Sequence, residues 1–436
     1  MFSYYLKLGA RSLRRNPTLT ALMVLTLAVG VAACVATLAV LHAMSGDPIP
    51  GKSARLLAPL VDNGPAAGWN PGEAPDDKQM SYQDAANLLR GAQGVRRTAM
   101  YAVGLPIEPP RADLPAFQAR GLAPTRDFFA MFDVPMRRGQ VWTALDDASG
   151  ADVVVLSRET AERMFGDTDP VGRRLVLRGT PYTIVGVTDN WAPLPRYYKP
   201  IGNDPFGTGE KFFIPLANAI RHEMGHEGSM NCSANTDPGF AAMLASECTW
   251  IQFWFEVAAR SDRAALQSWL DNYAAEQRKL GRLKRNTPPA LYDVMEWMEL
   301  LKVVGNDSKL SAWLAFGFLL LCLVNAVGLL LAKFSVRAAE IGVRRALGAS
   351  RADVFRQFLA ETGVIGLAGG VLGLVLAYGA LALIGMQSAS MAAVSHMDGQ
   401  MLVLTFVIAL AASLLAGLLP TWRACQVLPA IHLKSQ

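Results

Sequence analysis

Apolar and polar positions divide this chain unevenly. Four runs contain no Asp, Glu, Lys or Arg: Thr18–Ala43, Leu310–Ala332, Thr362–Met386 and Gln400–Trp422. Each is longer than the ~20 helical residues that cross a hydrocarbon core. Backbone polar groups in lipid must be satisfied within the segment, so the runs predict four transmembrane helices. The long stretch between the first and second runs changes to globular patterning. Ala151–Leu156 is a β-branched run that predicts a buried strand, and Ser157 caps a helix to Phe165. Arg173–Arg178 and Tyr182–Val187 flank Gly179-Thr180-Pro181 as a hairpin. Ile251, Phe253, Phe255 and Val257 alternate with polar or less apolar positions, which predicts a half-buried strand. Ser261 then caps a helix with Leu266, Trp269, Leu270, Tyr273 and Leu280 facing inward. Asp189–Gly209 is rich in Pro, Gly and Asn and predicts an exposed loop.

Charge gives the spans a direction. Lys7, Arg11, Arg14 and Arg15 precede the first run; Lys333, Arg337, Arg344, Arg345, Arg351 and Arg356 lie between the second and third; Arg423 and Lys434 follow the fourth. The loop 387–399 has no Lys or Arg. The positive-inside rule puts both termini and residues 333–361 in the cytoplasm and 44–309 outside, which is the periplasm in a cell that has one. The expected order is an amphipathic cytoplasmic helix (1–17), span 18–43, the extracytoplasmic domain 44–309, span 310–332, a cytoplasmic stalk and coupling helix 333–361, span 362–386, a short outer loop 387–399, span 400–422 and a cytoplasmic tail 423–436. The first 15 residues present Phe2, Tyr5, Leu6 and Leu13 on one face with bases largely opposite, a helix suited to the lipid interface. Val31-Ala32-Ala33-Cys34 resembles a lipoprotein cleavage box, but apolar sequence continues beyond it, so the first span is expected to stay uncleaved. Composition agrees with a membrane protein: 52% hydrophobic and 18% charged among 436 residues, below the usual quarter charged.

Two motifs suggest chemistry. Gly46-Asp47-Pro48-Ile49-Pro50-Gly51-Lys52-Ser53 fits the phosphate-loop pattern. Such a loop aims backbone N–H groups at phosphates between a strand and a helix. Pro48 and Pro50 each remove a donor and a span precedes the motif, so it reads as a stiff exit from the membrane. His222-Glu223-Met224-Gly225-His226 fits H-E-x-x-H, with Glu247 at a spacing suited to a third zinc ligand. Gly225 and Gly228 argue against the long helix that site needs, so no metal is expected, and a membrane-anchored zinc peptidase is the remote alternative. Cys34, Cys322 and Cys425 belong to the membrane or its edge. Cys232 and Cys248 alone lie in the exported stretch, where an oxidising compartment favours a disulfide.

The most specific stretch follows the second span. Glu340-Ile341-Gly342-Val343-Arg344-Arg345-Ala346-Leu347-Gly348-Ala349-Ser350 leads into Arg351 and a re-entering helix that Ser350 caps with Asp353. The third span carries Gly366, Gly369, Gly370 and Gly373, two overlapping G-x-x-x-G pairs that allow close helix approach. This stretch resembles the FtsX-like permease signature, E-I-G-x-R-[RK]-A-L-G-A-[ST]. Pro420-Thr421-Trp422-Arg423-Ala424 and Leu428-Pro429-Ala430 resemble that family's closing segment. Thr125–Phe129, Arg138-Gly139, Val153–Ser157, Asp169–Gly172 and Tyr182–Val187 resemble a MacB-type periplasmic core domain.

The resemblance implies an α-helical membrane protein with four transmembrane helices and an α+β extracytoplasmic domain of the MacB periplasmic core type. It implies the permease subunit of an ABC transporter, not itself an enzyme. A cytoplasmic ABC ATPase dimer would bind ATP and Mg, dock on Glu340, Ile341, Gly342, Arg344, Arg345, Gly348, Ser350 and Arg351, and drive movement of the periplasmic domain. MacB-type proteins carry the ATPase fused at the N-terminus. Only about 15 residues precede the first span here, too few for a domain, so the ATPase is expected on a separate chain. A second permease chain, identical or different, is implied, with membrane lipid around it and no nucleic acid. Export of a small molecule or peptide, with a periplasmic adaptor and an outer-membrane channel, stands beside LolC-like lipoprotein release and FtsX-like mechanotransduction.

Overall fold

A computed structural model describes residues 16–75, 77–91, 95–111, 113–199, 205–232, 237–337, 340, 343, 347–387, 392 and 399–425. The chain forms two compact units, Gly46–Val303 and the stretches flanking it on both sides.

The flanking unit holds four long helices, each apolar and long enough to cross a membrane: span 1 (Pro17–Ser45), span 2 (Asn306–Ser335), span 3 (Arg351–Gly385) and span 4 (Gly399–Cys425). Span 3 begins eleven residues before the apolar run Thr362–Met386, because Ser350 accepts the Asp353 N–H and starts the helix there. Gly348 just before it takes φ +99°, a left-handed turn that favours glycine. Gly369 and Gly373 face span 1: an added Cβ would lie 3.2 Å from Leu27 Cβ and 3.1 Å from the Ala28 carbonyl oxygen respectively. Gly366 and Gly370 face span 4, against Ser413 and Ala409. The two small-residue pairs thus serve opposite neighbours of one helix, and let both backbones approach.

The unit Gly46–Val303 is built on an 11-stranded sheet. Its strands are β1 (Leu56–Leu60), β2 (Met80–Ser81), β3 (Arg96–Glu108), β4 (Phe117–Pro124), β5 (Met136–Gly139), β6 (Val153–Leu156), β7 (Arg174–Leu177), β8 (Thr180–Thr188), β9 (Phe212–Phe213), β10 (Thr249–Glu256) and β11 (Ala290–Asp293). The long strand β3 pairs with β10, β4 and β7 in turn. Through β4, β9, β6, β8 and β7 the pairings return to β3 and close a ring. From β10 the sheet continues to β1 and β11. Strands of period two serve two cores: Val154 and Leu156 join one cluster with Tyr101, Leu105 and Tyr182, whereas Val153 and Val155 join another with Phe128, Phe132 and Trp254.

Three expectations change here. The strand from Thr249 to Glu256 is buried at every position, not half-buried, because both cores cover it. Its polar Glu256 is held by Lys52, Arg55 and Arg96. Asp189–Gly209 is no exposed loop where it is described. Trp191, Tyr197 and Tyr198 pack into the second core, and Glu210 accepts from Tyr198 Oη and Lys199 Nζ, each at 2.8 Å. Buried charge is tolerated there because it is paired. The helix after β10 runs Arg263–Lys279, and Ser261 does not cap it: Ser261 sits inside the one-turn 3-10 helix Arg260–Asp262, where the Asp262 carboxylate accepts the Ala259 N–H. Leu266 and Leu270 are buried on it, Trp269 and Tyr273 pack partly against the core, and Leu280, just past its end, is 64% exposed.

Candidate functional site at the ends of spans 2 and 3

Heptad-like spacing directs a set of side chains inward where spans 2 and 3 meet span 1. Ala326, Leu330, Lys333 and Phe334 share the buried face of span 2. Val354, Phe358, Glu361, Thr362 and Ile365 share that of span 3, and Thr20, Met23 and Leu27 that of span 1. The apolar members form one cluster, with the Phe334 and Phe358 ring centroids 4.3 Å apart. Three charged groups meet within it. Glu361 Oε1 lies 2.6 Å from Lys333 Nζ, and Glu361 Oε2 lies 3.1 Å from an Arg337 guanidinium nitrogen. Lys333 also donates to Thr20 Oγ1 at 3.5 Å. Lys333 and Glu361 are fully buried. Ionisable groups within membrane-spanning helices are costly, and they persist where they pair with one another. Removing one partner of such a buried pair costs about 3–5 kcal/mol, because the other charge is left uncompensated.

From this knot the chain passes into the signature stretch. Glu340 and Val343 are helical, Gly348 makes the left-handed turn, Ser350 caps span 3 and Arg351 is exposed in its first turn. Ile341, Gly342, Arg344 and Arg345 lie outside the described residues. Val336, Val343 and Leu347 are exposed, Leu347 at 83%. All three are apolar residues in a stretch rich in Arg.

The other candidates are resolved by their contacts. The helix Leu216–Arg221 ends before the H-E-x-x-H motif, and Glu223 takes φ 48°. His222 Nε2 lies 2.7 Å from Asp152 Oδ1, His226 packs by the Trp250 ring, and Glu247 holds Arg282. Two histidines one turn apart on a helix, which zinc requires of this motif, are therefore not presented. Among the described residues no group of three or more His, Cys, Asp or Glu is placed to hold a metal ion. The phosphate-loop lookalike is spent internally: Lys52 Nζ donates to the Ala130 carbonyl at 2.7 Å and to Asp133 at 2.6 Å, and Ser53 Oγ to Asp47 at 2.6 Å. Cys232 and Cys248 form a disulfide beside the Asn231–Thr249 bridge.

Sequence reasoning missed the knot. Lys333 was read only as topology, and Glu361 sits one residue before the apolar run that marked span 3. The readable signal was Glu361 falling three residues after Phe358 and four before Ile365, on the face that packs inward.

The model of the MacB-like periplasmic core domain matches residues 20–273, and the chain belongs to that family. The FtsX-like permease C-terminal model matches residues 312–429. These define an ABC-permease type of membrane chain, with an α+β domain of periplasmic core type and four apolar helices. The macrolide export ATP-binding/permease protein MacB of Rhodospirillum rubrum is 27% identical over 100% of this chain and 61% of its own length. The pyoverdine export ATP-binding/permease protein PvdT of Pseudomonas savastanoi pv. phaseolicola is 24% identical over 71% of this chain and 42% of its own. The chain therefore spans less than two thirds of these relatives. The crystal structure of the periplasmic region of MacB from Actinobacillus actinomycetemcomitans covers 58% of this chain and 95% of its own at 11% identity, with a TM-score of 0.37.

Proposed function

We propose that this chain is the permease part of an ABC exporter for a small molecule or peptide. In this reading residues 336–350 face the cytoplasm and Gly46–Val303 the periplasm. A partner ABC ATPase pair binds ATP and Mg and docks on the signature stretch, and two permease chains work together in the inner membrane. ATP-driven closure of the ATPases moves the spans, and these move the periplasmic domain, which would hand cargo to an adaptor and outer-membrane channel. The observation that carries the reading is the match of residues 312–429 to the FtsX-like permease C-terminal model, within which Val336, Val343 and Leu347 are each exposed. Exposed apolar side chains of this kind suit a protein contact. The names of both relatives join an ATP-binding and a permease activity in export.

The test is co-expression with an ABC ATPase from the same genome. A stable complex is expected, whose ATP turnover falls at least tenfold in Arg344→Glu/Arg345→Glu and in Leu347→Asp. Wild-type turnover and retention in both variants would sink the docking role.

A further inference from the structure

Glu361 holds two cations that belong to one helix and its extension. Lys333 and Arg337 are four residues apart, about one helical turn; Lys333 takes Glu361 Oε1, and Arg337 lies nearest Oε2 at 3.1 Å and 3.4 Å from Oε1. Lys333 reaches on to Thr20 of span 1. The group thereby connects span 1, span 2 and span 3 at the point where the chain leaves span 2 for the signature stretch. Stability alone does not call for this arrangement, since well-packed apolar side chains of similar volume usually hold helices as well or better than a buried ion pair. Charge at such a place fixes register, because only one alignment of span 2 on span 3 satisfies both rungs. The one-turn spacing adds a second property. When span 2 slides along span 3 by up to a turn, about 5.4 Å, Glu361 keeps a cation within reach. The link can yield without leaving a bare charge in an apolar surround.

We infer that Glu361 is a positioning residue that makes spans 1 and 3 follow the signature stretch, with Lys333 as its inner partner and Arg337 as its outer one. The inference rests on the permease reading above and adds to it the route by which displacement at 336–350 enters the bundle.

The experiment uses the full chain with its ATPase in lipid nanodiscs, with spin labels at exposed Leu145 and Leu310. Two readouts are taken: the amount of ATPase retained, and the change in label distance on trapping with ATP, Mg and vanadate. Glu361→Gln is expected to retain the ATPase but to lose at least two thirds of the distance change. The fully charge-reversed trio Lys333→Glu/Arg337→Glu/Glu361→Lys is expected to recover most of it, which a merely space-filling role would not give. A wild-type distance change in Glu361→Gln overturns the inference, as does a well-folded reversed trio without recovery. Should Glu361→Gln fail to insert, Glu361→Asp keeps the charge, shortens the reach and is judged by the same outcomes. If the wild-type chain itself retains no ATPase, the permease reading falls rather than the role of Glu361.

Discussion

Asp152 shows how a single carboxylate can decide a local structure. It accepts from Asn218 at 2.8 Å, Arg221 at 2.6 Å and His222 at 2.7 Å. Burial pushes its carboxyl up, but the hydrogen bonds from His222 and Asn218 and the Arg221 charge outweigh that, and it sits below the ordinary 3.8. A carboxyl lowered by folding stabilises the folded state above its unfolded pKa, and that share is lost as pH falls through the folded value. Unfolding of the domain followed by tryptophan fluorescence from about pH 6 to about pH 3 is therefore expected to show falling stability below about pH 4. Asp152→Asn should flatten that decline; an unchanged profile would contradict it. The same triad explains why H-E-x-x-H misleads. Its spacing was legible, but the helix stops at Arg221 because Asn218, Arg221 and His222 all turn toward residues 150–152, a tertiary demand that no local pattern announces. Ser157 and Ser350 were legible as caps because each acts within three residues of itself.

Among elements, span 3 is the one most constrained on both sides. A leucine at Gly373 would drive into the Ala28 carbonyl and Val31 of span 1, whereas nothing lies within 4 Å of a Cβ at Gly379. Gly373→Leu is expected to destabilise the bundle by roughly 1–3 kcal/mol, the usual cost of overpacking, and Gly379→Leu by less than about 0.5 kcal/mol. Reaction of the buried thiols Cys34 and Cys322 with a thiol-reactive fluorophore on heating in detergent reports when the bundle opens. Equal melting of both variants would refute the facing assigned to Gly373. The glycine spacing was readable from sequence; which neighbour each pair serves was not, since that depends on how four helices pack. The hairpin β7–β8 was readable from Gly179 between two apolar runs, but its turn is Arg178-Gly179, both at positive φ, and Thr180 and Pro181 belong to β8 opposite Leu177 and Val176 rather than to the turn. Strand β10 was misjudged because alternation reports one covered face, and burial of Gln252 and Glu256 depends on a second layer contributed by distant segments.

For the whole molecule, the disulfide Cys232–Cys248 separates the stability of the two units. It closes a sequence separation of 16, and a loop of that length stabilises by about 3 kcal/mol in the chain-entropy picture. Adding reductant, or replacing both cysteines by serine, should lower the unfolding midpoint of Gly46–Val303 and leave opening of the bundle unchanged in calorimetry. A single transition shifting as one body would show that the units do not unfold separately. The division into four spans and one long globular stretch follows from hydropathy alone, since lipid and water impose different patterns. The ring of strands was beyond sequence reading, because β9 has only two residues and joins β4 to β6 across long separations.

The first and last strands of that domain carry a mechanical consequence. β1 and β11 are antiparallel neighbours, with Leu57 opposite Asp293 and Leu60 opposite Ala290. The start of β1 and the end of β11 therefore lie at the same end of one strand pair, about a strand spacing of 4.8 Å apart. Beyond them the chain is still anchored: Ile49 on the entering side and Val294, Trp297 and Met298 of the helix Val294–Leu300 on the leaving side pack in the second core, and the Val294 N–H donates to the Ser53 carbonyl. Parting the two strands would load the hydrogen bonds between them one after another, as in opening a zip, whereas drawing both the same way would load the pair's bonds to β10 together, in shear. In the proposed permease reading, a domain anchored this way is moved as one piece when both connections are drawn in step, and is opened at β1 and β11 only after both anchors give way.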